Sequence, residues 1–179
     1  MLHLYVLLLA DTGMRAYTEA LALQWDDVDL ANGAITIRST ATDRNKSGKT
    51  RVVPMTTRLH QAMREHAARF RLAQRSPYVF THEFTTRSSV AGERVKTFRG
   101  SFMTAARKAK LPTGFQAHDL RNRRVTTWLG ESKSPAHIQL AMGHASISTT
   151  MGYSHLTASH LRSLVDESAA PLPAKEATR

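Results

Sequence analysis

The chain has 179 residues, which fits a single domain large enough to bury a hydrophobic core. Hydrophobic residues make up 41% of the sequence and charged residues 22%, as is ordinary for a globular domain. There is no cysteine, which excludes disulfides and thiolate metal sites and fits a reducing cytoplasm. The apolar run over residues 2–10 is too short to span a bilayer and lacks the basic start of a secretion signal, so no membrane role is indicated.

The positive charge of the chain is both large and localised. The sequence has 25 Lys and Arg against 14 Asp and Glu, a formal net charge of +11. Between Arg38 and Arg124 there are 20 Lys and Arg against 5 Asp and Glu, so this stretch alone carries +15. A basic domain of this kind is expected to bind a polyanion, with nucleic acid as the leading candidate and a basic surface kept for solubility as the alternative.

The hydrophobic pattern predicts an α+β domain that is mainly helical. A buried first helix ends near Thr12-Gly13, and a short helix is expected over residues 20–25. Two β-branched runs, 34–38 and 50–54, flank a polar segment and predict an antiparallel hairpin. Further helices are predicted, in order, over residues 56–73, 95–109, 118–129, 135–142 and 157–167, before a Pro/Ala-rich tail, 168–179, that we expect to be disordered.

Two segments in the second half of the chain carry residues suited to phosphate chemistry. On a helix, His118 and Arg121 share one face, and the planar arginine fork suits a phosphate because it donates two parallel hydrogen bonds. Gly143-His144 is followed nine residues later by Tyr153. Taken alone, these could be a surface His–Arg pair, a core histidine and a surface tyrosine. Taken together, they suggest phosphoryl transfer to a phenol.

Together with Thr12-Gly13-Met14-Arg15, these segments resemble the tyrosine recombinase (phage integrase) family over about residues 1–167. The resemblance implies the mainly helical catalytic domain of that family, with a small antiparallel β-sheet. It also implies a site-specific recombinase that cleaves and rejoins double-stranded DNA through a 3′-phosphotyrosyl intermediate. Family members usually carry a smaller helical DNA-binding domain ahead of the catalytic one. That domain is not found in this sequence, so we expect weak DNA binding and poor recombination by this chain alone.

By the same resemblance, six residues form the catalytic set: Arg15, Lys46, His118, Arg121, His144 and Tyr153. The two arginines clamp the non-bridging oxygens of the scissile phosphate, and His144 adds a hydrogen bond there. Tyr153 is the nucleophile and His118 the candidate acceptor of its proton. Lys46, on the predicted hairpin, protonates the departing 5′-oxygen, with Lys49 as the fallback for this role.

Two features near this catalytic set depart from the family pattern. The segment from Arg15 to Glu19 is one residue longer than usual, which leaves open whether Glu19 or Thr18 supports the site. Asn122 follows Arg121 where many members have histidine, and it is assigned no catalytic duty. Four further cations are candidate DNA contacts: Lys49, Arg51, Arg123 and Arg124.

The expected chemistry uses no metal or cofactor, because fixed cations do the work that Mg²⁺ does in many phosphoryl transfers. The sequence agrees with this expectation, since it has no Asp/Glu set at metal-ligand spacing and no P-loop. The resemblance implies a homotetramer on two DNA duplexes for a full-length protein and a monomer for the isolated domain, acting in the cytoplasm of a bacterial or phage-infected cell. Two alternatives remain at this point: an enzyme like type IB topoisomerases that relaxes supercoils, and a DNA-binding regulator that does not cleave.

Overall fold

The structure is a computed structural model that describes residues 1–38, 50–71 and 76–153. The predictions for Lys46 and Lys49, for a helix over residues 157–167 and for the tail therefore lie outside the described residues.

Helices are the main regular structure of the described chain, as the sequence predicts. Their bounds are α1 Leu2–Thr12, α2 Thr57–His66, α3 Arg99–Lys108, α4 Ala117–Gly130, α5 Pro135–Met142 and α6 Ile147–Met151. The last helix was not predicted, because its sequence has three hydroxyl residues among only five. It begins with a side-chain cap, in which the backbone N–H of Ser148 donates to the hydroxyl of Ser146.

Three short strands form one antiparallel sheet in the order β1-β2-β3. The strands are β1 Val28–Asp29, β2 Ala34–Ile37 and β3 Arg51–Pro54, and Ile35 pairs with both Val28 and Val53. The predicted hairpin is thus confirmed as β2–β3. Strand β1 was not predicted, because it is two residues long and has acidic neighbours that are typical of a turn.

The predicted short helix over residues 20–25 is wrong. A single π-helical turn spans Ala16–Ala20 instead, with Ala20 N–H donating to Arg15 C=O at 2.9 Å, and a 3₁₀ turn follows over Trp25–Asp27. A π turn closes on the fifth residue rather than the fourth, so it accommodates one extra residue in a helical turn. It therefore offers a place for the extra residue that the resemblance implies between Arg15 and Glu19.

Two hydrophobic clusters hold these elements together. The larger one joins α1 and the sheet to α2 and to the segment after it, and includes Tyr5, Leu8, Ile35, Leu59 and Phe80. The smaller one joins α4 to α5 through three side chains, Val125, Ile138 and Met142. Among the described residues, no helix is long and apolar enough to cross a membrane. The two clusters meet along α1 and α4, and the candidate site lies where these helices end or begin.

Candidate active site

Arg121 is the buried centre of the site. It lies in the second turn of α4 and only 4% of its surface is exposed. Its guanidinium donates to two backbone carbonyls, that of Gly13 and, at 2.7 Å, that of Met142. Burial, followed by the positive charge of Arg15, lowers its pKa to about 10, which still leaves Arg121 charged at neutral pH. The cation is thus fixed between the ends of α1 and α5.

Glycine is required at both of those helix ends. Gly13 follows α1 and Gly143 follows α5, each with a left-handed backbone, φ +66° and φ +63°. A Cβ on Gly13 would lie 2.3 Å from the terminal carbon of Met142, and one on Gly143 would lie 2.7 Å from a guanidinium nitrogen of Arg51. A larger residue at either place would strain the left-handed backbone and displace the end of the Met142 or Arg51 side chain beside Arg121.

Glu19 links two further arginines. Its side chain is 1% exposed. Its carboxylate accepts from the Arg15 side chain at 2.6 Å, from the Arg15 backbone N–H at 2.8 Å and from both terminal nitrogens of Arg51 at 2.7 and 3.1 Å. Burial alone would raise the pKa of Glu19, but the hydrogen bonds and charges of Arg51 and Arg15 outweigh it and lower that pKa. Of the two residues that the sequence left open, Glu19 makes these contacts and Thr18 is exposed.

Arg51 lies inside this group rather than on the surface. Its side chain is 9% exposed, and its Nε donates to the carbonyl of Ala141 at 2.9 Å. It therefore joins β3 to α5 and to Glu19, contacts that support the site, while its predicted role as a DNA contact stays a prediction. No local pattern indicates this role, because the residues that neutralise and hold Arg51 are 32 and 90 positions away.

His144 is held neutral beside these cations. Burial, followed by the charges of Arg121, Arg15 and Arg51, lowers its pKa to about 4. Its Nδ1 lies 2.8 Å from the hydroxyl of Thr150, a fully buried residue of α6. This contact leaves Nε2 for a ligand, so the imidazole is suited to a hydrogen bond rather than to a charge.

The neutral state of His144 predicts a pH dependence of stability. A histidine with a pKa near 6.5 when unfolded and about 4 when folded stabilises the fold fully above pH 6.5, and that contribution is lost as pH falls towards 4. His66, whose pKa is also lowered by burial, contributes in the same window. We expect His144→Gln to lose less stability than the unchanged chain between pH 6.5 and 4 in urea unfolding. Equal slopes for the two proteins would contradict this prediction.

Tyr153 follows α6 and packs against the smaller cluster, as Trp128 and Leu129 of α4 also do. Its hydroxyl donates to the side-chain oxygen of Asn122 at 2.9 Å. The phenol is also close enough to Arg121 to affect the pKa of that arginine. Arg15, Arg121, His144 and Tyr153 are therefore brought into one neighbourhood, together with Arg51 and Asn122, which sequence reasoning did not place in the site.

The other described residues of the predicted set, His118, Arg123 and Arg124, all lie on α4. His118 is exposed in the first turn of α4, one turn before Arg121, and Arg123 is exposed further along the same helix. Arg124 has a side chain that is 17% exposed, donates to the carbonyl of Ala10 and pairs with Asp11 at 3.0 Å. These contacts tie α4 to α1, so Arg124 has a structural role, while its predicted role as a DNA contact stays a prediction.

Comparison with known proteins agrees with this arrangement. The model of the phage integrase family matches residues 1–160, which is most of the chain. The chain belongs to the phage integrase family. The matched range contains every described residue of the candidate site, from Arg15 in the first segment to Tyr153 in the last.

Individual members of the phage integrase family give the same result. Tyrosine recombinase XerA of Pyrococcus furiosus is 31% identical over 164 residues, which are 92% of this chain and 53% of the relative. Tyrosine recombinase XerC of Chlamydia pneumoniae is 28% identical, covering 82% of this chain and 44% of the relative. A crystal structure of XerA recombinase superposes with a TM-score of 0.72 at 27% identity, over 96% of this chain and 59% of that one. The chain thus spans about half the length of the relatives it matches.

Proposed function

We propose that the chain is the catalytic domain of a site-specific DNA recombinase that forms a covalent 3′-phosphotyrosyl link through Tyr153. The supporting observation is an excess of fixed positive charge beside a phenol. Arg15, Arg51 and Arg121 carry +3, Glu19 carries −1, and His144 is neutral, so the group holds a net +2 at neutral pH. Fixed cations of this kind stabilise the negative charge that grows on a phosphate during transfer.

The roles of these residues follow from their contacts. Arg15 and Arg121 are the proposed clamp on the two non-bridging oxygens, because each retains N–H groups beyond those used within the protein. Glu19, which is itself held by Arg51, holds Arg15 in place. His144 adds a neutral N–H, since its Nδ1 is already engaged by Thr150.

In the proposed reaction, the oxygen of Tyr153 attacks the phosphorus, the new O–P bond forms, and the bond from phosphorus to the 5′-oxygen breaks. The phenolic proton passes to His118, and the 5′-oxygen takes a proton from Lys46, a residue outside the described part of the chain. Attack by the 5′-hydroxyl of a partner strand reverses these steps and releases Tyr153. The bond energy is kept in the phosphotyrosine, so rejoining needs no ATP.

The proposed partner is double-stranded DNA in the cytoplasm of a bacterial or phage-infected cell. The name tyrosine recombinase, carried by the relatives above, supports this partner. The excess of 20 Lys and Arg over 5 Asp and Glu between Arg38 and Arg124 supports it independently. A tetramer on two duplexes is proposed for a longer protein that contains this domain, whereas the isolated domain is proposed to be a monomer.

A trapping experiment tests the proposed function even though the target sequence has not been identified. The chain is mixed at low salt with lightly nicked genomic fragments of the organism that encodes it. Nicks let a short cleaved strand diffuse away, so covalent adducts accumulate. We expect adducts that survive detergent, carry one recurrent DNA sequence and map to Tyr153 by mass spectrometry. An absence of adducts, or attachment at another residue, would contradict the proposal. Relaxation of supercoiled plasmid without any recurrent sequence would favour a topoisomerase-like activity instead.

A further inference from the structure

The hydroxyl of Tyr153 has a protein partner that the proposed reaction does not use. It donates to the side-chain oxygen of Asn122 at 2.9 Å, across 31 residues of chain. The phenol is half-buried, and its ring rests on the cluster of Val125, Ile138 and Met142. Packing thus fixes the plane of the ring, and the hydrogen bond fixes where its oxygen lies.

Asn122 is also covalently tied to the proposed phosphate clamp. It is the next residue after Arg121 on α4, in the middle of a regular helix of 14 residues. The backbone of Arg121 cannot shift relative to that of Asn122 without distorting this helix. The side chain of Arg121 is itself locked by the carbonyls of Gly13 and Met142. The positions of the proposed phosphate-binding cation and of the attacking oxygen are therefore linked through two adjacent residues of α4.

We propose that Asn122 is a positioning residue that holds the hydroxyl of Tyr153 in register with Arg121 for attack on the scissile phosphate. The inference rests on the proposed function, because it assigns a task to the same nucleophile. An amide is suited to holding but not to proton transfer, since it neither gains nor loses a proton near neutral pH. Asn122 accepts the phenolic hydrogen until that proton leaves for another base, and it forms no bond to the phosphate.

The proposal predicts how adduct formation responds to four substitutions of Asn122. Asn122→Leu keeps the size of the side chain but removes the acceptor, so adduct formation on the nicked genomic fragments is expected to fall about tenfold to a hundredfold. Asn122→His supplies a ring nitrogen as an acceptor and recovers most of the rate. Asn122→Asp keeps an acceptor but adds a negative charge that opposes loss of the phenolic proton, so adduct formation moves to higher pH. Asn122→Ala is expected to resemble the leucine variant.

A merely structural role would not produce this pattern. Loss of stability alone would not shift the pH profile of the aspartate variant or favour histidine over leucine. Thr127→Ala, at an exposed position on the same helix, serves as the control and is expected to form adducts at the unchanged rate. The proposal would be overturned if Asn122→Leu formed adducts at the rate of the unchanged chain. It would also be overturned if the pH profile of Asn122→Asp were not shifted.

A second measurement separates failure of this inference from failure of the proposed function. The chain is labelled with ¹³C at the tyrosine ring carbon that bears the hydroxyl, and its NMR spectrum is recorded without DNA. The resonance that is missing from the spectrum of Tyr153→Phe belongs to Tyr153. We expect Asn122→Leu to shift that resonance, because the hydroxyl loses its acceptor, and Thr127→Ala to leave it in place. An unchanged resonance in Asn122→Leu would overturn the inference even if the adduct forms. Adducts that persist in Tyr153→Phe would instead contradict the proposed function.

Discussion

Tyr153→Phe is expected to abolish covalent adducts with DNA while leaving the fold intact. The substitution removes only the oxygen that would bond to phosphorus, so no slower route through the same residue remains. The ring keeps its packing against Val125, Ile138 and Met142. The variant loses one hydrogen bond, to Asn122, whose removal is expected to cost about 1 kcal/mol of stability.

Detergent-resistant adducts on the nicked genomic fragments measure this effect, with urea unfolding as the check on the fold. Tyr17→Phe is the matched control, because Tyr17 is also a phenol, lies two residues from Arg15 and is 55% exposed. It is expected to form adducts as the unchanged chain does. Residual adducts in Tyr153→Phe, or their loss in Tyr17→Phe, would show that another phenol is the nucleophile.

The elements set by local sequence were predicted well. Pro135 at the first position of a helix and Gly143 just past its end bracket α5 at the predicted bounds. The two β-branched runs on either side of a polar segment predicted the hairpin of β2 and β3 in the same way. Arg15, Arg121, His144 and Tyr153 could be nominated because each lies in a short motif, and the structure places them in one neighbourhood. Their catalytic roles remain a prediction.

The partners of these residues could not be predicted, because they depend on where distant segments meet. Arg51 and Arg124 are read from sequence as free cations in a basic stretch, yet each is neutralised by a carboxylate on an element far along the chain. Asn122 was assigned no duty because nothing local shows that Tyr153, 31 residues later, returns to it. The π turn that contains Glu19 was missed because the sequence showed an extra residue without showing how the backbone takes it up.

Glu19→Gln is expected to be the most destabilising single substitution at the site. Glutamine has nearly the same shape as glutamate but no charge, and its amide N–H groups would face N–H donors of Arg15 and Arg51. Those two arginines and Arg121 would then lie together without a carboxylate between them. Removing one partner of a buried ion pair costs about 3–5 kcal/mol, a large share of the roughly 5–15 kcal/mol that stabilises a typical domain.

Urea unfolding measures this loss, and two variants define its origin. Glu65→Gln, an exposed glutamate of α2 that bonds only to a neighbouring glutamine among the contacts described, should change stability by less than about 0.5 kcal/mol. Thr18→Ala should do the same. Large destabilisation by Thr18→Ala with none by Glu19→Gln would show that the backbone accommodates the extra residue in another way, with Thr18 and not Glu19 supporting the site.

The pH dependence of the Glu19→Gln effect identifies charge as its cause. Because the pKa of Glu19 is lowered on folding, its contribution is present above its unfolded value of 4.5 and is lost as pH falls through the folded value. The gap between the unchanged chain and Glu19→Gln should therefore be widest near neutral pH and narrow in acid. A gap that stays constant would mean that the shape of the side chain, and not its charge, holds Arg15 and Arg51.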